Sequence, residues 1–149
     1  QEPVALQPLV GEVIRQVRLL DPEREIIEAV PSLTVLGDRD AVKQILLVLL
    51  DNAVKHTRGP VRVSVQPDDG RVKISLQDQG PGIPPELLPR IFERFDRGQA
   101  QTGVPGFGLG LPIAKALSEA QGGSIHIESQ PGVGTTVTVV LPGVDQESN

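Results

Sequence analysis

Residues 38–78 read DRDAVKQILLVLLDNAVKHTRGPVRVSVQPDDGRVKISLQD, and two hydrophobic periods meet inside this stretch. In its first half Val42, Ile45, Leu46, Leu49 and Ala53 recur at i, i+3, i+4, i+7 and i+11, the pattern of an amphipathic helix. Asp38 can cap its start and Gly59-Pro60 supplies a stop signal. Beyond Pro60 the period drops to two. Val61, Val63 and Val65 share one strand face, and Val72, Ile74 and Leu76 share another, around a Pro67-Asp68-Asp69-Gly70 turn. An apolar-striped helix followed by a half-apolar hairpin predicts helix packed on sheet.

Working outward, residues 3–6 read as a short strand and residues 7–20 as a helix bearing Leu9, Val10, Val13, Ile14 and Val17. Residues 25–30 and 33–36 read as strands joined by a Pro31-Ser32 turn. On the other side, residues 78–85 are a Gly/Pro-rich loop and residues 87–95 a short helical stretch. Residues 96–106 carry little apolar content and are expected to form a mobile surface loop. A helix over about residues 111–121 stops at Gly122-Gly123. A last hairpin sets Ile125 and Ile127 opposite Val137, Val139 and Leu141. His126 falls on the opposite, solvent side of its strand. The expected fold is α+β, a two-layer sandwich. Its mixed, mostly antiparallel five-stranded sheet, with short edge strands besides, is covered on one face by three helices. Residues 1–149 are expected to form one domain with a core over about residues 3–142.

Composition narrows the function classes. The net charge of −5 gives no long-range attraction to nucleic acid or anionic lipid. No run approaches the ~20 apolar residues of a membrane helix. Without cysteine there are no disulfides or thiolate metal sites. The three aromatics are Phe92, Phe95 and Phe107, so a ligand base has no Trp or Tyr to stack on.

Four segments carry candidate chemistry. Asn52 interrupts a helix that is otherwise apolar, and spacings of three and four place Lys55 and His56 on its face. An amide oxygen beside an ammonium suits a metal-triphosphate, the oxygen for a hard cation and the lysine for phosphate charge. Asp78-Gln79-Gly80-Pro81-Gly82-Ile83 ends a strand; its glycines allow close ligand approach, and the carboxylate can accept from an adenine amino group. Gly106-Phe107-Gly108-Leu109-Gly110-Leu111 opens a helix whose N–H groups can face phosphate. It is not a dinucleotide fingerprint, because a polar loop precedes it where that motif needs a strand. Nor does a G-x-x-x-x-G-K-[ST] loop occur. In the fourth segment, Ile91 to Arg97, Arg94 or Arg97 could reach phosphates. Taken alone, these segments also read as a polar helix end, an acidic turn or an amphipathic surface turn.

Their order and spacing together resemble the ATP-binding catalytic domain of sensor histidine kinases. The run Leu49-Leu50-Asp51-Asn52-Ala53-Val54-Lys55-His56-Thr57 is similar to that family's N box, and Asp78-Gln79-Gly80-Pro81-Gly82 to its first glycine box. Residues 91–95 are similar to its phenylalanine box, Gly106 to Leu111 to its second glycine box, and Gly132-Val133-Gly134-Thr135 to its last glycine-rich turn. The resemblance implies the fold shared with gyrase, Hsp90 and the mismatch-repair ATPases, with ATP and Mg²⁺ as cofactors. It implies Asn52 as the Mg²⁺ ligand and Asp78 as acceptor for the adenine amino group. Gly80, Gly82 and Ile83 would shape the base pocket with Thr135. Lys55, His56 and Arg97 would contact phosphates, and Gly106, Phe107, Gly108, Leu109, Gly110 and Leu111 would serve a mobile ATP lid. Two departures stand out. Val48 occupies the position of a second asparagine found in many relatives, and Phe107 and Pro112 replace small residues.

The implied reaction is γ-phosphoryl transfer from Mg-ATP to a histidine, catalysed through Asn52, Lys55 and Arg97. Of the two histidines, His56 belongs to the nucleotide site and His126 to the final hairpin. The acceptor is therefore expected on a separate dimerisation domain, with a response regulator receiver domain as the next partner and no nucleic acid. The isolated domain is expected to be a monomer, at the cytoplasmic end of a membrane-bound sensor. The alternatives are a nucleotide-responsive or degenerate module without transfer, or an anti-sigma-type protein serine kinase.

Overall fold

The change of hydrophobic period at Pro60 is where helix gives way to sheet. The computed structural model describes residues 2–57, 59–80, 86 and 107–144, without the side chains of residues 56 and 107–109. Among the described residues the elements run β1 (Glu2–Ala5), α1 (Leu6–Arg18), β2 (Ile26–Ala29), β3 (Thr34–Gly37) and α2 (Arg39–His56). They continue with β4 (Val61–Asp68), β5 (Arg71–Asp78), α3 (Phe107–Ala120), β6 (Ser124–Gln130) and β7 (Gly134–Pro142). Residues 91–95, the lid over residues 96–106, and Gly82, Ile83, Arg97 and Gly106 lie outside the described residues.

A five-stranded sheet of order β2-β4-β5-β7-β6 forms the floor. β2 runs parallel to β4 and the other pairings are antiparallel. The hairpin between β4 and β5 is tighter than the four-residue turn read from sequence. Asp68 pairs with Arg71, leaving Asp69 (φ 55°) and Gly70 (φ 82°) as a two-residue turn of the I′ kind. Registers align the apolar positions in rows across the sheet. Val63, Leu76, Val137 and Ile127 make one row, and Val65, Ile74, Val139 and Ile125 the next. Ile74 and Val139 are fully buried, since the helices cover this face.

Each helix presents its apolar stripe to that floor or to a neighbouring helix. α1 buries Leu9, Val10, Val13, Ile14 and Val17, and α2 buries Val42, Ile45, Leu46, Leu49, Leu50 and Ala53. Asp38 caps α2 as the sequence indicated, its carboxylate accepting from Asp40 N–H at 2.9 Å and Ala41 N–H at 3.3 Å. α3 ends in a Schellman arrangement, Gly122 N–H donating to the Glu119 carbonyl and Gly123 N–H to that of Ser118.

Three expectations are corrected. The strands flanking Pro31-Ser32 exist but belong to different sheets: β2 joins β4, whereas β3 pairs antiparallel with β1. The short strands β1 and β3 thus form a two-stranded sheet of their own around the buried pair of Val4 and Val35, bridged from Val35 to Gly143 after β7. Of the three short strands only β2 joins the main sheet, at the edge opposite β6. Leu6 opens α1 instead of closing β1; it is fully buried and its N–H donates to the Leu33 carbonyl at 2.9 Å. Finally, α3 is already helical at Phe107, the first described residue of this part of the chain, so Pro112 lies inside the helix and not at its opening, and removes the bond that the Gly108 carbonyl would accept.

Candidate functional site

Burial of Leu49 and Leu50 fixes the roll of α2, and with it the direction of Asn52. Asn52 is half-buried, and its Nδ2 is buried with no hydrogen-bond partner among the described residues. Such an orphan costs about 1–3 kcal/mol. Across from it runs the first part of α3. A Cβ built on Gly110 would lie 3.0 Å from Val48 Cγ1 and 3.4 Å from Asn52 Nδ2. A glycine lets the α3 backbone approach this closely without displacing Val48 or Asn52. Val48, the departure noted in the sequence, therefore places a methyl group where α3 meets α2. Leu111 follows, with 1% of its surface exposed, and anchors the helix start in the core.

One turn on, Lys55 is largely exposed and its ammonium lies 3.1 Å from Asp51 Oδ2. An exposed pair of this kind is worth about 0–1 kcal/mol, so Lys55 can turn to another anion at little cost. His56 ends α2, and its side chain is outside the described residues.

The second cluster forms where β5 and β7 end side by side. Asp78 pairs with Thr135 in the register. Asp78 Oδ1 accepts from Gly80 N–H at 2.9 Å and from Thr135 N–H at 3.2 Å. These two bonds hold the carboxylate in one orientation and leave Oδ2 without a hydrogen bond among the described residues. Gly134 has φ 154°, and a Cβ there would collide with the Asp78 carbonyl oxygen. The glycine of the last turn is thus required for β7 to lie against Asp78. Thr135 is buried and its hydroxyl meets Ser129 Oγ at 3.0 Å.

Gly80 joins the two clusters, because a Cβ on it would run into Thr57 Cγ2 at the end of α2. An open groove passes this join, walled by Lys55, Thr57, Gly59, Gln79 and Gly80. The structure thus brings Asn52, Gly110 and Leu111 together, and Asp78, Gly80 and Thr135 together. Gly108, Phe107 and Leu109 lie in the first turns of α3, their surroundings undescribed. Arg24, which packs behind this join, was not singled out from sequence, and Thr57 entered only as the last residue of the N-box-like run. The acceptors of the Arg24 NH groups on α2 and beyond are 30–35 residues away in the chain, and no local pattern marks the residue.

The sequence matches the family described as histidine kinase-, DNA gyrase B- and HSP90-like ATPase over residues 37–145. Sensor histidine kinase YkoH of Bacillus subtilis is 38% identical over 139 residues, covering 91% of this chain and 29% of its own length. The chain therefore spans under a third of that relative. The solved structure of the mycobacterial sensor histidine kinase MprB superposes with a TM-score of 0.82 at 35% identity, covering 95% of this chain and 98% of that one. Full-length ShkA in complex with AMPPNP gives a TM-score of 0.81 at 36% identity, covering 96% of this chain and 31% of that one. With the family's residues continuous from β3 to beyond β7, and both solved structures laid over nearly the whole chain, this protein belongs to the histidine kinase-, DNA gyrase B- and HSP90-like ATPase family, on its sensor histidine kinase side.

Proposed function

We propose that residues 1–149 act as one catalytic domain that binds Mg-ATP, for γ-phosphoryl transfer to a histidine on a separate dimerisation domain. A response regulator receiver domain would take the group next. The observation that carries this reading is the buried, unpartnered amide of Asn52 beside the start of α3. An Asn amide offers an oxygen or an NH₂ according to its χ2, so the orphaned position can present an oxygen to a cation. Among the described residues no group of three His, Asp or Glu gathers. A cation held here would take its remaining ligands from phosphate and water, as Mg²⁺ commonly does.

The rest of the site fits the same ligand. Asp78 Oδ2, without a hydrogen bond among the described residues, would accept from an adenine amino group, while Gly80 and Thr135 hold the carboxylate still. The α3 N-terminus, with Gly106, Gly108 and Gly110, would face phosphate, and Lys55, His56 and Arg97 would neutralise it. AMPPNP in the ShkA complex supports a nucleotide of this class. Bound there, Mg-ATP supplies the phosphoryl group; the protein contributes position and charge neutralisation. In this reading the domain is a monomer at the cytoplasmic end of a membrane-bound sensor. Among the described residues no helix is long and apolar enough to cross a membrane.

The test mixes the chain with a histidine-bearing dimerisation domain and γ-labelled ATP. Label should pass to the histidine, and Asn52→Ala should abolish both the transfer and the Mg²⁺ dependence of binding. Full transfer by Asn52→Ala contradicts the metal role. Val48 favours a second reading, a nucleotide-responsive module without transfer, because it sets a methyl beside Asn52 where many relatives carry an amide. Nucleotide binding without label transfer from the unmodified chain selects that reading.

A further inference from the structure

Arg24 lies in the loop between α1 and β2, outside every motif of the nucleotide site in sequence, yet its side chain is only 8% exposed. Its guanidinium spans the end of α2. Nη2 donates to the Val54 carbonyl at 2.8 Å and to the Thr57 carbonyl. Nη1 donates to Thr57 Oγ1 at 3.1 Å and to the Gly59 carbonyl at 3.2 Å. Nε lies 3.3 Å from Asp21 Oδ2, which fixes the plane of the fork. The last carbonyls of a helix have no partner within it. Here Arg24 takes that of Val54, and Thr57 Oγ1 takes that of Ala53 at 2.7 Å.

The contact continues towards the base end of the site. Thr57 Cγ2 fills the space that a Cβ on Gly80 would need, and Gly80 N–H holds Asp78 Oδ1. On its other side the same helix end carries Asn52, Lys55 and His56. Arg24 thus reaches the junction of these two halves from the loop before β2 and bonds directly to the end of α2 there. A buried cation that closes four acceptors fixes geometry as well as neutralising it, because a planar fork has few alternative placements.

We infer that Arg24 is a positioning residue for nucleotide recognition: through Thr57 and Gly80 it sets the Asp78 carboxylate relative to the Asn52 end of α2. This rests on the Mg-ATP reading above, and it adds a determinant of base selectivity outside the binding motifs.

The experiment compares the unmodified chain, Arg24→Gln and Arg24→Lys, well below their unfolding midpoints, by calorimetric titration with Mg-ATP and Mg-GTP. A carboxylate held in place prefers adenine, whose amino group donates, over guanine, which presents a carbonyl there. Arg24→Gln should bind Mg-ATP about tenfold more weakly or worse and lose most of its preference over Mg-GTP. Arg24→Lys keeps the charge without the fork and should fall between. If Arg24→Gln lowers the unfolding midpoint but leaves affinity and preference unchanged, the arginine is structural only and the inference fails. If Arg24→Gln does not fold, Arg24→Lys decides alone, and wild-type affinity and preference in it overturn the inference. An unmodified chain that binds neither nucleotide overturns the Mg-ATP reading and this one with it.

Discussion

Asp78 commits one carboxylate oxygen to backbone N–H groups, and in the proposed role the other accepts from adenine, a division that limits which side chains can replace it. Oδ1 is committed to the N–H groups of Gly80 and Thr135, while Oδ2 faces no donor among the described residues. Asparagine in its place has two orientations. If its oxygen keeps the two backbone bonds, its NH₂ meets the adenine amino group, donor against donor. If its oxygen turns to the adenine, the NH₂ meets two backbone donors instead. Either way one set of bonds is lost. Asp78→Asn should therefore fold and bind Mg-ATP about 10–100-fold more weakly. Titration calorimetry reads this directly, and unchanged affinity would remove Asp78 from the base pocket. Asn52 differs in kind, because its Nδ2 is buried and has no hydrogen-bond partner among the described residues. Residue-scale chemistry of this sort was legible in sequence where a polar residue broke an apolar run, as at Asn52, or ended a strand, as at Asp78. Arg24 could not be read that way. The carbonyl and hydroxyl oxygens it binds lie 30–35 residues further on, and the nearby Asp21 alone does not mark it as buried.

At the scale of elements, α1 and α2 are tied on the solvent side by Glu12, which accepts from Arg39 at 2.7 Å and Lys43 at 2.7 Å. The bond from Lys43, then that from Arg39, holds the Glu12 carboxyl below its ordinary value. A carboxyl lowered in the folded state stabilises that state fully above the unfolded value. The contribution then fades as pH falls through the lowered folded one. Glu12→Gln should thus have a lower urea midpoint than the unmodified chain near neutral pH. The gap should shrink in acid below the usual carboxylate range, and with added salt because the pair is exposed. A gap that stays constant into acid would assign the effect to packing. Element boundaries were legible where the signal was local. Asp38 capped α2, Gly122-Gly123 closed α3, and period-two runs gave β4 and β5. Two things were not legible. The start of α3 was hidden because glycines and Pro112 discourage helix, whereas packing of Leu111 and Ala114 and the close approach at Gly110 favour it. The partners of β2 and β3 were hidden because strand pairing is settled by long-range burial; β2 reaches β4 only across β3 and α2.

For the whole molecule, the candidate site gathers residues from both layers. Asn52 stands on α2 and Gly110 on α3, while Asp78 and Thr135 end neighbouring strands of the sheet. The helical layer and the floor are joined mainly by apolar burial, while Gln121 Oε1 at the end of α3 accepts from Asp38 N–H, at the cap of α2, at 2.7 Å and ties those two helices together. A ligand that engages all four residues binds the folded chain only, since unfolding separates them. By linkage, ligand at 100 times its dissociation constant stabilises such a chain by about 2.7 kcal/mol. For a domain of this size that corresponds to a midpoint rise of roughly 5–10 °C. Thermal unfolding of the unmodified chain with Mg-ATP should show this rise, scaling with the logarithm of nucleotide concentration. Asp78→Asn should keep nearly the same midpoint without nucleotide and show a far smaller rise at the same concentration. Binding on one layer alone would also raise the midpoint, so the rise by itself does not locate the ligand. What does is equal sensitivity to substitutions on either side. Asn52→Ala and Asp78→Asn must each reduce the rise, although one residue belongs to the helices and the other to the sheet. If only one of them does, the ligand lies on that layer and the site does not bridge the two.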